Sequence, residues 1–126
     1  MKENMRTRLL GAFGEGCAAE YLRKNGYRLL AVNYKTVYGE IDIIAKKRKT
    51  VVFVEVKTRR SESWADAADY VDAAKQRRLR STAEQWLEKF GRQLRCGEEC
   101  RFDVIEVYTD ESERKVRKLN HIKEAF

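Results

Sequence analysis

Apolar side chains recur at helical spacing over residues 8–25, where Leu10, Gly14, Cys17, Ala18, Tyr21, Leu22 and Asn25 fall near one side and Gly26 follows as a stop. The pattern then changes. Residues 27–34, 40–46 and 51–58 are short runs rich in Val, Ile, Phe and Tyr, which predicts three strands with Arg48 and Lys49 at the tip of a hairpin. Residues 59–70 have mixed polarity and no period, so a loop with some helical turn is expected, anchored by Trp64. A second helix is signalled over 72–90 by Ala74, Leu79, Ala83, Trp86, Leu87 and Phe90, and Gly91 closes it. Residues 102–109 read as a further strand and 115–122 as a weaker one.

The order helix, three strands, helix, one or two strands describes an α/β protein with a mixed sheet. The short connection at Arg48 requires antiparallel neighbours, whereas the helix between the third and fourth strands suggests a parallel crossover. At 126 residues one domain is expected over 1–126. No internal repeat or low-complexity tract interrupts it.

Charge narrows the partner. Lysine and arginine number 27 against 20 acidic residues, a net charge of +7 and a pI near 9.4, which favours an anionic partner. No apolar run approaches the ~20 residues of a spanning helix, and no signal-peptide pattern opens the chain, so the expected location is cytoplasmic and the expected anion is nucleic acid rather than membrane. Cys17, Cys96 and Cys100 are then reduced thiols. Cys96 and Cys100 could offer zinc two ligands, but no second pair completes a tetrahedron and His121 stands alone.

Candidate chemistry lies in the second and third strands. Sorted by period two, Val51, Phe53, Glu55 and Lys57 face one way and Val52, Val54, Val56 and Thr58 the other. Both faces begin apolar, so Glu55 and Lys57 emerge from a strand buried on two sides, where ions are costly to desolvate. The same sorting puts Glu40, Asp42 and Ile44 on one face of the preceding strand and Ile41, Ile43 and Ala45 on the other. A hairpin symmetric about Arg48 and Lys49 pairs positions whose numbers sum to 97, setting Asp42 opposite Glu55 and Glu40 opposite Lys57. Facing carboxylates repel, and a hard divalent cation such as Mg²⁺ is the natural counter-charge. Two carboxylates, a metal and the Lys57 ammonium supply what phosphodiester hydrolysis needs: an activated water, a Lewis acid and compensation for developing negative charge.

Gly39-Glu40-Ile41-Asp42-Ile43-Ile44 followed by Val52-Phe53-Val54-Glu55-Val56-Lys57-Thr58-Arg59 resembles the D…ExK signature of the PD-(D/E)XK nucleases. Within that superfamily the chain is most similar to the bacterial YraN family of predicted endonucleases, related to archaeal Holliday-junction resolvases. The likeness extends through Gly14-Glu15, Ala19, Gly26-Tyr27, Val71, Lys75 to Leu79 and Phe102-Asp103-Val104, nearly the whole chain. It implies a restriction-endonuclease-like αβββαβ core and a Mg²⁺ (or Mn²⁺) ion held by Asp42, Glu55 and the Val56 carbonyl, with Lys57 at the water. It also implies a helical glutamate as a further ligand of the metal or its water shell. Glu15 matches it, and helical geometry agrees, since Glu15 projects near Leu22 whereas Glu20 points away. Where the superfamily name has proline, this chain has Ile41 before Asp42 and no proline anywhere.

The plainer alternatives are an exposed face with an ordinary salt bridge for Asp42, Glu55 and Lys57, and a solvated helix charge for Glu15. Glu40 is a secondary candidate, read first as a partner for Lys57. Basic clusters at Lys46, Lys47, Arg48 and Lys49, at Arg59 and Arg60, and at Lys75, Arg77, Arg78 and Arg80 suit phosphate contacts. Lys75 is a secondary site candidate, because the resemblance places a lysine near the site there. Trp86, Tyr21 and Phe13 read as core, and His121 carries no catalytic signal. The expected function is a metal-dependent endonuclease acting on DNA, with branched DNA taken from the resolvase resemblance. The alternative is a nucleic-acid-binding module that keeps the fold but turns over poorly. Dimerisation would suit two-strand cutting.

Overall fold

The computed structural model describes residues 2–60, 71–92, 99–110 and 115–126. Helix α1 spans Lys2–Lys24 and is followed by strands β1 (Arg28–Thr36), β2 (Gly39–Lys47) and β3 (Thr50–Arg60). Helix α2 (Ala73–Trp86) runs on into one π-helical turn at Leu87–Gly91, and strands β4 (Glu99–Thr109) and β5 (Val116–Ile122) complete the order. The sheet order is β1-β2-β3-β4-β5, with β3 and β4 parallel and every other pair antiparallel. This is the expected mixed α/β sheet with flanking helices, compatible with a restriction-endonuclease-like core. Most bounds fall within three residues of expectation. The exception at a start is α1, which begins six residues earlier (2 against 8); β3 runs two residues further than expected and so carries Arg59 and Arg60, where a loop was expected.

Local chemistry explains the element ends. Gly26 adopts φ 87°, and the amides of Gly26 and Tyr27 close back on the carbonyls of Arg23 and Leu22, so α1 stops in a Schellman turn that buries Tyr27. Asp72 caps α2 by accepting the Lys75 amide at 2.8 Å, which fixes Lys75 in the first turn. Arg48, at φ 54°, turns the β2–β3 hairpin.

The sheet separates two apolar layers. Ala18, Ala19 and Leu22 of α1 pack on Ile43, Val52, Val54, Ile105 and Val107, while Leu79, Ala83 and Trp86 of α2 pack on Ile44, Val51, Phe53 and Val104. Each of the larger buried side chains contributes about 1.5–3 kcal/mol, so β3, apolar on both faces, is held from both sides.

One expectation fails here. Strict alternation groups Ile41 with Ile43 and Ala45, yet Ile41 belongs to the α2 layer and the other two to the α1 layer. The change falls at a break in the β1–β2 ladder, which keeps its register from Val32↔Ile43 to Tyr34↔Ile41 but skips Asn33 and Asp42, and Asn33 there turns to φ 50°. Asn tolerates that left-handed conformation better than a branched residue would. Asp42 sits at this break.

Candidate active site

The β2–β3 register follows the sum of 97 from Lys47↔Thr50 to Ile43↔Val54 and then ends, so Asp42 is not paired opposite Glu55 as expected. Its carboxylate instead accepts the Val56 amide at 2.8 Å. A side-chain oxygen thereby satisfies a buried strand N–H next to Glu55. Glu55 is itself buried and faces α2, where its Oε1 receives Lys75 Nζ at 2.6 Å and lies 3.4 Å from Lys57 Nζ. Glu40, Asp42, Glu55, Lys75 and Arg78 line one small cavity of about 170 Å³ with Gly39 and Leu79.

Glu15 comes from α1. Gly14 lets the helix approach β3 so closely that a Cβ there would overlap the Thr58 side chain and stand 2.9 Å from its Cβ. That approach brings Glu15 to the Asn33 side chain, to which it is hydrogen-bonded, and within reach of the charges of Glu40 and Glu55.

The electrostatics report this crowding. Burial first, then the Glu55 charge, push the Asp42 carboxyl up to about 7, with Glu15 and Glu40 adding and the Val56 amide opposing. Glu15 is raised by burial and by Glu40 and Glu55, against its bond to Asn33. Lys57 is lowered, chiefly by burial and then by neighbouring Lys75. At Lys75 burial disfavours the charge, but Glu55 outweighs it and the ammonium is held more firmly than usual.

Among the described residues, no three Asp, Glu, His or Cys side chains group tightly enough to cage a metal by themselves. Asp42 and Glu55, with the Val56 carbonyl, could instead form an all-oxygen half-shell, leaving positions for water and phosphate as Mg²⁺ usually requires. A half-buried carboxyl pushed up by desolvation and then by its acidic neighbours fits such a cation, which would relieve the repulsion.

The structure thus brings together Asp42, Glu55, Lys57, Lys75 and Glu40, with Glu15 adjoining from the other helix. Arg77 and Arg78 are exposed on α2. Arg59, expected among the phosphate contacts, is turned inward with its side chain 9% exposed and ion-paired to buried Glu106 at 3.6 Å. The Arg60 side chain, Trp64 and Cys96 lie outside the described residues. Trp86 is core as expected and Tyr21 packs, half-buried, against the α1 layer, while Phe13 and the same Tyr21 also line an open apolar groove of about 590 Å³ beside β5.

Two buried acids went unassigned in the sequence. Glu106 also accepts from Tyr108 at 2.6 Å and Asn120 at 2.9 Å. Asp103, fully buried, receives Arg101 through two 2.8 Å bonds, the Glu124 amide at 3.2 Å and His121 Nε2 at 2.7 Å. His121 Nδ1 meets Tyr21 at 3.0 Å and Arg101 meets Tyr27 at 3.0 Å, so this network ties α1 to β4 and β5. An acid inside the apolar run 102–107 was the available signal for both.

The family model described as "Uncharacterised protein family UPF0102" matches residues 14–107. A UPF0102 protein of Alkaliphilus oremlandii is 45% identical over 120 residues, covering 93% of this chain and 97% of that one. One of Caldicellulosiruptor bescii is 41% identical over 122 residues (97% and 100%), and one of Moorella thermoacetica is 42% identical over 122 residues (97% and 98%). The chain therefore belongs to UPF0102, the family that its sequence resembles under the name YraN.

Proposed function

We propose that this protein is a divalent-metal-dependent endonuclease that hydrolyses phosphodiester bonds of DNA. Branched or otherwise structured DNA, as met in repair and recombination, is the substrate class suggested by the resolvase resemblance. One observation carries the reading: Asp42, half-buried beside Glu55 and fastened to the Val56 amide, shares a small cavity with two acids and two basic side chains. Three carboxylates against two basic side chains in one cavity carry more negative charge than a simple structural salt bridge needs, and suit a metal-assisted hydrolase.

In this reading Mg²⁺ or Mn²⁺, when bound, supplies Lewis acidity to the phosphoryl oxygen. Asp42, Glu55 and the Val56 carbonyl would hold it, with Glu15 bearing on its water shell. Lys57, whose ammonium is destabilised by burial, suits a role at the attacking water. The exposed Arg77 and Arg78 would position the duplex through its phosphates without reading sequence.

The test incubates the protein with linear, flapped and four-way DNA and with RNA, in Mg²⁺ or Mn²⁺, beside Asp42→Asn and Lys57→Ala. Cleavage by wild type alone is the expected result. Binding without cleavage by all three proteins would instead identify a nucleic-acid-binding module that retains the nuclease fold.

A further inference from the structure

We infer that Lys75 is a built-in counter-cation of the acidic cluster: it competes with the divalent ion for Glu55 and gives way when a substrate phosphate draws its ammonium aside. This rests on the metal-dependent reading above and adds to it a regulation of metal loading.

The geometry distinguishes the two lysines. Lys57 rises from the same strand as Glu55, two residues on, and its Nζ stands 3.4 Å from Oε1. Lys75 reaches the same oxygen at 2.6 Å from a separate element, the first turn of α2, where Asp72 fixes its backbone. Its stem is thus anchored outside the sheet, and four rotatable bonds leave the head able to swing. Lys75 also lines the cavity with Glu40, Asp42 and Arg78.

A compact ammonium donates to the same carboxylate lone pairs that a hard cation requires, and the two positive charges repel at close range. Entry of a divalent ion at Glu55 therefore works against Lys75 unless Lys75 finds another anion. A phosphodiester at the cavity mouth, beside exposed Arg78, is such an anion. Metal and nucleic acid then strengthen each other's binding by the same factor, as linkage demands. In the absence of substrate the site stays neutralised by its own side chain.

The experiment measures Mn²⁺ binding by electron paramagnetic resonance for wild type, Lys75→Met and Asp42→Asn, with and without a phosphorothioate DNA duplex that resists hydrolysis. Thermal melts establish that each variant is folded. Without DNA, Lys75→Met is expected to bind Mn²⁺ about tenfold more tightly than wild type, within the usual range of coupling between sites. DNA should tighten Mn²⁺ binding to wild type by a similar factor and to Lys75→Met by little. Lys75→Met binding no more tightly than wild type, with wild type binding measurably, would overturn this inference alone. Failure of both to bind Mn²⁺ even with DNA present would overturn the metal-dependent reading, and this inference with it.

Discussion

The Val56 amide donates to the Asp42 carboxylate at 2.8 Å, a contact one residue beyond the last registered pair on β2 and two beyond it on β3. A site acid is thereby fixed to the strand that carries Glu55, at the expense of a regular ladder. Asp42→Asn keeps an oxygen for that amide and removes the charge. The Asp42 carboxyl is raised to about 7 by burial and by Glu55, so ionising it costs stability as pH climbs from about 4 through 7, and the cost persists above. In metal-free buffer at pH 8 the variant should therefore be more stable than wild type, by about 1–2 kcal/mol, with the gap closing toward pH 4. Cleavage should fall at least ~100-fold. Urea unfolding at pH 8 and pH 5 checks the first claim; a variant less stable at both would show that the Asp42 charge is not under strain.

Gly14 sets the distance between α1 and β3. A methyl group there overlaps Thr58, so Gly14→Ala should cost about 1–3 kcal/mol as overpacking does. The same displacement moves Glu15, the next residue, off the cluster. Adding Thr58→Ala removes the hydroxyl and methyl in the way and should restore part of the stability. Melting temperatures of the single and double variants decide the matter: equal losses in both would mean that Thr58 is not the obstacle.

Asp103 gives a pH dependence of opposite sign. Burial alone would raise its carboxyl, but His121, Arg101 and the Glu124 amide prevail and hold it below the ordinary 3.8. Its contribution is thus fully present above about pH 4 and is lost as pH falls through the depressed folded value. Asp103→Asn should be less stable than wild type by about 3–5 kcal/mol at neutral pH, since it breaks a fully buried acid's bonds to His121 and half-buried Arg101 and leaves Arg101 short of its counter-charge. Chemical denaturation at pH 7 and pH 2.5 should show that gap narrowing with acid, and a constant gap would count against this account.

How much of this was legible in the sequence depends on the range of the interactions. Val51 to Val54 announce a strand buried on both faces, and the two-residue turn at Arg48 and Lys49 fixes the register as far as Ile43↔Val54, because period and turn chemistry are local. The departure at Asp42 was hidden, since it falls where the β1–β2 ladder skips Asn33 and Asp42, at a left-handed residue of the neighbouring strand. Ile41 changed layers for the same reason. Arg59 looked like surface charge, and only the parallel register that sets Lys57 beside Glu106 reveals why a nearby arginine turns inward. The pairing of Lys75 with Glu55 joins residues 20 apart through a crossover, a distance at which periodicity is silent.

The arginines separate two kinds of effect. Arg78 lines the cavity and Arg77 is the next residue on α2, both exposed, so replacing both with alanine should leave the fold intact and weaken DNA binding across sequences. Each phosphate contact contributes about −0.9 to the slope of log K against log salt, so the double variant should flatten that slope by up to ~2. Arg59→Ala should do the reverse: its loss removes a counter-charge from the buried Glu106 carboxylate, costing on the order of 2 kcal/mol in stability while leaving the salt slope nearly unchanged. Fluorescence anisotropy over a salt series, paired with urea unfolding, tests both variants together. A full slope in Arg77→Ala/Arg78→Ala would take the α2 face out of the nucleic-acid surface, and a flattened one in a stably folded Arg59→Ala would put Arg59 back into it.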